Sequence, residues 1–329
     1  MDDAKGGIVT MNSKAGIVSI ITILVILTSP GCSSQKNNDR AVPQNENGLY
    51  TIKVNNLALE IDPATGGRIT SLRIDGKNFF TEKSVDSGNW GSTLWPSPQS
   101  AWNWPPSAEL DNKPYSVVVE DNVVKMVSGK DPQFGWIFTK EISGNKKEGS
   151  FNLKFTITNG SDSVQSVAPW VVSRVHINGL TFFPIGEGEK HGGLLPLIVE
   201  KNGIFWFPYK QDKLPQKGDR QLYADGAEGW LAQVNDGVIL IKKFPDIPLE
   251  KNAPDGAGRF EGEIELFVSR VFPERGGYVE IEHQGAYEEL MPGASSTWEV
   301  TWLLRRLPDN IKPEVGNTDL IDYTRKLIK

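Results

Sequence analysis

The chain has one cysteine and three histidines in 329 residues. A single cysteine rules out an intramolecular disulfide. Three histidines leave few imidazoles for acid–base or metal chemistry. Long helical periodicity is missing until the C-terminal end, so a parallel sheet built from alternating strands and helices is excluded. No repeat of fixed period appears, which disfavours a propeller. There is no basic stripe. The formal charge is −6 and the pI about 5.3, so nucleic acid is not an expected partner.

The N-terminus is set apart from the fold. GIVSIITILVILT, Gly16 to Thr28, is an apolar run that suits the central region of a signal peptide and is short for a membrane span. Lys14 precedes it, and a start at Met11 would give the cleaner leader. The run ends in LTSPGCSS, where Cys32 follows Gly31. This resembles a bacterial lipobox and implies lipidation at Cys32 and membrane attachment through that anchor. Ser33 follows, with no aspartate to favour inner-membrane retention, so the expected location is the cell envelope, anchored to the outer membrane. Residues 1–31 read as the signal peptide and 32–48 as the lipidated cysteine with a flexible polar tether.

From Leu49 the chain reads as β almost throughout. Short alternating runs such as RITSLRI, FGWIFTKEIS, SFNLKFTITN and GEIELFVSRVF are divided by Gly, Asn, Asp and Pro. Turn signals include Asp75-Gly76, Asn159-Gly160 and Asp236-Gly237. More than a dozen strands without βαβ alternation predict a large antiparallel β-sandwich, one domain over 49–308. A C-terminal tail, 309–329, carries a short amphipathic helix, TDLIDYTRKLIK, with Thr318 as N-cap.

One segment stands out. GSTLWPSPQSAWNWPP, Gly91 to Pro106, holds three of the ten tryptophans and four prolines. Proline cannot donate to a sheet ladder, so the segment reads as a stiff irregular loop. Rigid rings bind sugars without losing ordering entropy. Trp95 is expected to pack, while Trp102 and Trp104, flanking Asn103, are expected to face a ligand.

NLALEIDPATGGRITSLRIDGKNFF, Asn56 to Phe80, resembles the opening hairpin of galactose mutarotase-like proteins. YVEIEHQGAYEELMPGASSTWEVTWLL, Tyr278 to Leu304, resembles the same superfamily's close: a strand bearing a glutamate, then L-x-P-G, then a final strand. LWPSPQSAWNWPP and APWVVSRVHINGLTFFP are similar to a subgroup of uncharacterised, often lipidated members known only as a domain of unknown function. The resemblance covers roughly residues 49 to 306 and implies the all-β supersandwich. In mutarotases a glutamate on the late strand, with a glutamine close after it, is the base at the anomeric hydroxyl. The resemblance therefore points to Glu282, followed by Gln284, with Glu280 as the second choice.

Strand parity extends this reading. Tyr278, Glu280, Glu282 and Gln284 share one face, and Val279, Ile281 and His283 the other. Trp170, Val172, Arg174 and His176 share a face as well, placing an aromatic, a guanidinium and an imidazole side by side. Mutarotases use a histidine as the acid at the ring oxygen, so the resemblance points to His176 for that role. Arg68, after Gly66-Gly67, reads first as part of the hairpin itself, with substrate contact as the alternative. Mutarotases carry an Asn-His pair in this region, and this chain has none, which favours carbohydrate binding over catalysis. Glu187, Glu189 and His191 alternate in GEGEKHGG, but the glycines make a loop and the set is too sparse for a metal. Neither metal nor cofactor is expected. Trp206, Trp230, Trp298 and Trp302 belong to apolar strands and are expected in the core. The leading reading is a carbohydrate-binding, mutarotase-like lipoprotein. The alternatives are an aldose 1-epimerase-type isomerase and, third, a polysaccharide lyase.

Overall fold

Alternating apolar residues organise two antiparallel sheets in a computed structural model that describes residues 39–215 and 217–329. One sheet has eleven strands and the other ten. In the eleven-stranded sheet the neighbours run Arg68–Ile74, Ser92–Ser97, Gln165–His176, Tyr278–Gln284, Ile264–Val268 and Gln221–Ala224. Its inward face supplies Leu94, Val171, Val175, Val279, Ile281 and Leu266 to the core between the sheets. The ten-stranded sheet answers with residues such as Phe138, Phe155, Leu240, Val300 and Trp302. Trp206, Trp230, Trp298 and Trp302 are all buried, as apolar strand contexts require.

Two polar groups of this core are fixed by hydrogen bonds rather than exposed to ligand. His283 is fully buried on the inward face, where its Nδ1 accepts from Trp298 Nε1 at 2.9 Å and its ring stacks on Phe244. Burial holds its imidazole well below the usual range, hence neutral. Lys242 donates to Ser173 Oγ at 2.8 Å and to the Ile281 carbonyl at 2.7 Å.

Three expectations are corrected. The signal peptide and Cys32 lie outside the described residues, but the far end of the expected tether is folded. Ala41 is buried, and Gln44–Glu46 pairs with Leu49–Thr51 as an edge strand. The ordered domain thus begins before residue 49. The proline-rich segment is not irregular throughout, because Ser92–Ser97 is an interior strand paired with Gln165–His176. Pro96 sits opposite Pro169. Their backbones face away from each other, as in a non-hydrogen-bonded antiparallel pair, so neither missing N–H is needed between them. The Pro169 carbonyl accepts from Gly285 N and the Pro96 carbonyl from Trp102 Nε1, both at 2.8 Å. The C-terminal helix is present at Thr318–Ile328, but Asn317 caps it, accepting from Asp319 N at 2.9 Å. Leu320 and Ile321 pack it onto the sandwich, so this end is part of the fold.

Candidate functional site

The outward face of the eleven-stranded sheet is where the register gathers polar side chains. Arg174 lies opposite Glu280, Val172 opposite Glu282 and Trp170 opposite Gln284. On the next strand Glu265 lies opposite Glu282 and Phe267 opposite Glu280. Trp95 lies opposite Trp170. Because side chains alternate, these residues share one face. A cavity of about 220 Å³ opens on this face, with Glu280 and Glu282 in its lining and Trp95, Trp104, Trp170 and Tyr278 among its walls.

Two charged groups anchor the floor. Arg174 is fully buried; its Nε donates to Glu280 Oε1 at 2.8 Å and its Nη1 to Thr93 Oγ1 at 2.9 Å. Its guanidinium carbon lies 4.7 Å from the Trp95 ring centre, a cation–π contact. Burial raises the Glu280 carboxyl, and the Arg174 charge opposes that rise. Glu282 is 1% exposed and its Oε2 has no hydrogen-bond partner. Burial first, and the Glu280 charge second, push it well above the usual carboxylate range. Two carboxylates on one strand face are therefore unequal: Glu280, held by Arg174, ionises more readily, and Glu282 retains its proton.

A second pair of carboxylates extends the cluster. Burial and the charges of Glu282, Glu261 and Glu280 raise Glu265 well above its ordinary range. Gln221 Nε2 donates to it at 2.6 Å. Glu261, also raised by burial, lies 2.8 Å from Ser97 Oγ, which is itself 2.5 Å from Gln284 Oε1. The one hydroxyl proton can serve only one of these oxygens. A protonated Glu261 resolves the conflict by donating to Ser97, which donates to Gln284.

The sequence-derived candidates divide. Glu280, Glu282, Gln284, Trp170 and Arg174 come together on this face. Trp104 is 53% exposed and forms the rim. Trp102 is instead buried edge-on against Trp95, with its indole N–H committed to Pro96, so packing dominates its role. It reaches only the adjoining groove, as does exposed Asn103. Trp95 packs as expected, donating to Asp111 Oδ1 at 2.8 Å, yet also lines the cavity.

Arg68 is not at the cavity. It is 1% exposed, pairs with Asp111 Oδ2 at 3.0 Å, and donates to the Trp90 carbonyl at 2.9 Å. It holds the 88–111 region in place. His176 is also displaced. It lines a different cavity with Asn78 and Asp236. Four residues separate it along its strand from Val172, the partner of Glu282, a separation of roughly 13 Å. The expected Glu282–His176 acid–base pair is thus not assembled.

Glu261, Glu265, Phe267, Gln221 and Tyr223 are site residues that sequence reasoning missed. The alternation of Glu263, Glu265 and Phe267 in GEIELFV was a visible signal. Nothing in it indicated that this strand lies beside Tyr278–Gln284. His191 also belongs near the site, as an aromatic wall of the groove rather than in a metal cluster. Among the described residues, no group of three or more histidine, cysteine, aspartate or glutamate side chains is arranged to hold a metal.

Comparison with solved structures gives the same architecture. The chain is similar to a galactose mutarotase-like protein from Lactobacillus casei at 12% identity and TM-score 0.54, covering 78% of this chain and 100% of that one. It is similar to a galactose mutarotase related enzyme from Lactobacillus acidophilus at 12% identity and TM-score 0.54, covering 80% and 99%. It is also similar to a TPR-domain containing protein from Parabacteroides distasonis at 14% identity and TM-score 0.53, covering 81% of this chain but only half of that protein's length. At such identities the likeness shows the fold. No curated protein matches the sequence significantly. Residues 96–305 match the family model described as Domain of unknown function (DUF4380). The chain belongs to that family, and its architecture is a galactose mutarotase-like β-sandwich.

Proposed function

We propose that this protein binds carbohydrate in the cavity on the outward face of the eleven-stranded sheet. One observation carries the reading: the recess has tryptophan walls and a buried carboxyl group, Glu282, with an oxygen left without a hydrogen-bond partner. Rings meet the apolar C–H faces of a sugar, and carboxyl groups meet its hydroxyls. The test is titration calorimetry of the full-length protein with neutral sugars. Trp104→Ala should weaken binding by about 1 kcal/mol or more. Unaltered affinity in that variant would remove Trp104 from the site.

A second reading is favoured by the unequal carboxylates. Glu280 would take the proton from the anomeric hydroxyl, and Glu282 would give its proton to the ring oxygen as the C1–O5 bond breaks. Rotation of the freed aldehyde and reclosure reverse both transfers and yield the other anomer, with no cofactor. This exchanges the roles expected from sequence, because Arg174 favours charge on Glu280. Anomeric exchange followed by NMR tests it: a sugar that binds without faster exchange leaves a binding protein. A uronate lyase fits less well. A substrate carboxylate would meet the Glu280 charge, and Arg174 is already engaged by Glu280.

Attachment at Cys32 completes the proposal: an exported lipoprotein presenting the sandwich from the envelope. Incorporation of labelled palmitate, lost on Cys32→Ala, is the expected result.

A further inference from the structure

The inner cavity opens beside a larger groove of about 550 Å³, and the two share Gln99, Trp104 and Gln221 in their linings. Alone, the inner cavity falls below the ~300–1,000 Å³ of ordinary small-ligand sites, whereas the joined space falls within it. The groove has its own aromatic platform. His191 and Tyr223 stack with ring centres 4.7 Å apart and 21° between planes. His191 Nε2 is fixed 2.9 Å from the Phe260 carbonyl. Trp104 stands where groove and cavity meet, its ring 5.4 Å from Trp95 on the cavity side and 6.5 Å from Trp102 on the groove side. At the rim, Arg259 Nε donates to Asp255 Oδ2 at 2.9 Å.

We infer that the ligand is a neutral oligosaccharide of at least two rings, one in the inner cavity and the next on the His191–Tyr223 platform, with Trp104 between them. This rests on the carbohydrate reading above and specifies its substrate class. Three observations point the same way. The shared lining makes one continuous path. Each half has aromatic surface for one ring. The inner half also holds a buried carboxyl oxygen without a partner, Glu282 Oε2, which a hydroxyl group would satisfy. The charge argues for neutrality. Asp219 and Asp255 line the groove, and its Arg259 is already paired with Asp255, so a uronate or sulfated chain would meet no free cation and the carboxylate of Asp219.

The experiment is calorimetry of the full-length protein against matched series of one, two and three rings: glucose with its α-1,4 and β-1,4 oligomers, mannose and xylose with their β-1,4 oligomers, and galacturonic acid with its α-1,4 oligomers. In at least one neutral series affinity should rise about tenfold or more from one ring to two. His191→Ala and Tyr223→Ala, which each remove one ring of the platform, should each reduce that two-ring to one-ring ratio to below about threefold. A monosaccharide binding as tightly as its oligomers, a ratio untouched by both variants, or tighter binding of the uronate series would overturn the inference while leaving sugar binding intact. Silence from every series would instead remove the carbohydrate reading itself.

Discussion

Replacing Asp111 by asparagine separates the structural role of Arg68 from a ligand role. The pair is 3.0 Å apart, with both side chains almost fully withdrawn from water. Asp111 uses its second oxygen to accept from Trp95 Nε1. Asparagine has one carbonyl oxygen for two donors, so either the indole or the guanidinium is left unmatched. Burial already lowers Arg68 to about 10, and the Asp111 charge is the main force opposing that loss. Removing one partner of such a buried pair costs about 3–5 kcal/mol, because the remaining charge is uncompensated. For a domain of this size that is a large share of a typical ~5–15 kcal/mol stability. Thermal unfolding followed by tryptophan fluorescence should show the midpoint falling by roughly 6–10 °C. Arg68→Met in the same chain removes the orphaned charge, and the double variant should recover at least half of the loss. Two results would refute the reasoning: a loss in Asp111→Asn below about 1 kcal/mol, or an Arg68→Met variant that keeps full stability but loses sugar affinity.

Other predictions follow from buried titratable groups. Glu263 is raised to about 9 by burial, so keeping it neutral imposes a stability cost that is absent below its ordinary value of 4.5, grows as pH rises, and is complete above about 9. Glu263→Gln keeps an acceptor for Ile247 N, and its stability gain over wild type should grow by up to about 1.4 kcal/mol per pH unit across that window in denaturant titrations. Lys140 is lowered by burial to about 7 from 10.5 and donates to the Gly66 carbonyl at 2.7 Å. The unfolded chain therefore binds its proton first, and wild-type stability should rise relative to Lys140→Met as pH climbs from about 7 to about 10, again by up to about 1.4 kcal/mol per unit. If the protein accelerates anomeric exchange, both Glu280→Gln and Glu282→Gln should abolish the acceleration. A Glu280→Gln variant at full rate would end the assignment of Glu280 as base.

The fold was legible because its signals are local. Alternation in RITSLRI or SFNLKFTITN reports a half-buried strand whatever it pairs with, and the absence of βαβ alternation leaves only antiparallel layers. The Pro96 reading failed for a non-local reason. A proline is excluded from a central strand only where its N–H is wanted, and the matching proline at position 169 lies far away in sequence.

The site was legible only in part, and the same distinction explains where. Parity along Tyr278–Gln284 put Glu280 with Glu282, and parity along Gln165–His176 put Trp170 with Arg174, both correctly grouped within their strands. Parity carries no information on how far along a shared face two residues lie. His176 has the right face but sits four residues beyond the partner of Glu282, at the mouth of another cavity. Register likewise decides Arg174: it stands directly opposite Glu280, and that single pairing makes the two glutamates unequal. The chemistry of this face therefore resides in the offsets between strands. A one-residue slip of Tyr278–Gln284 would turn both carboxylates into the sandwich and bring His283 out in their place.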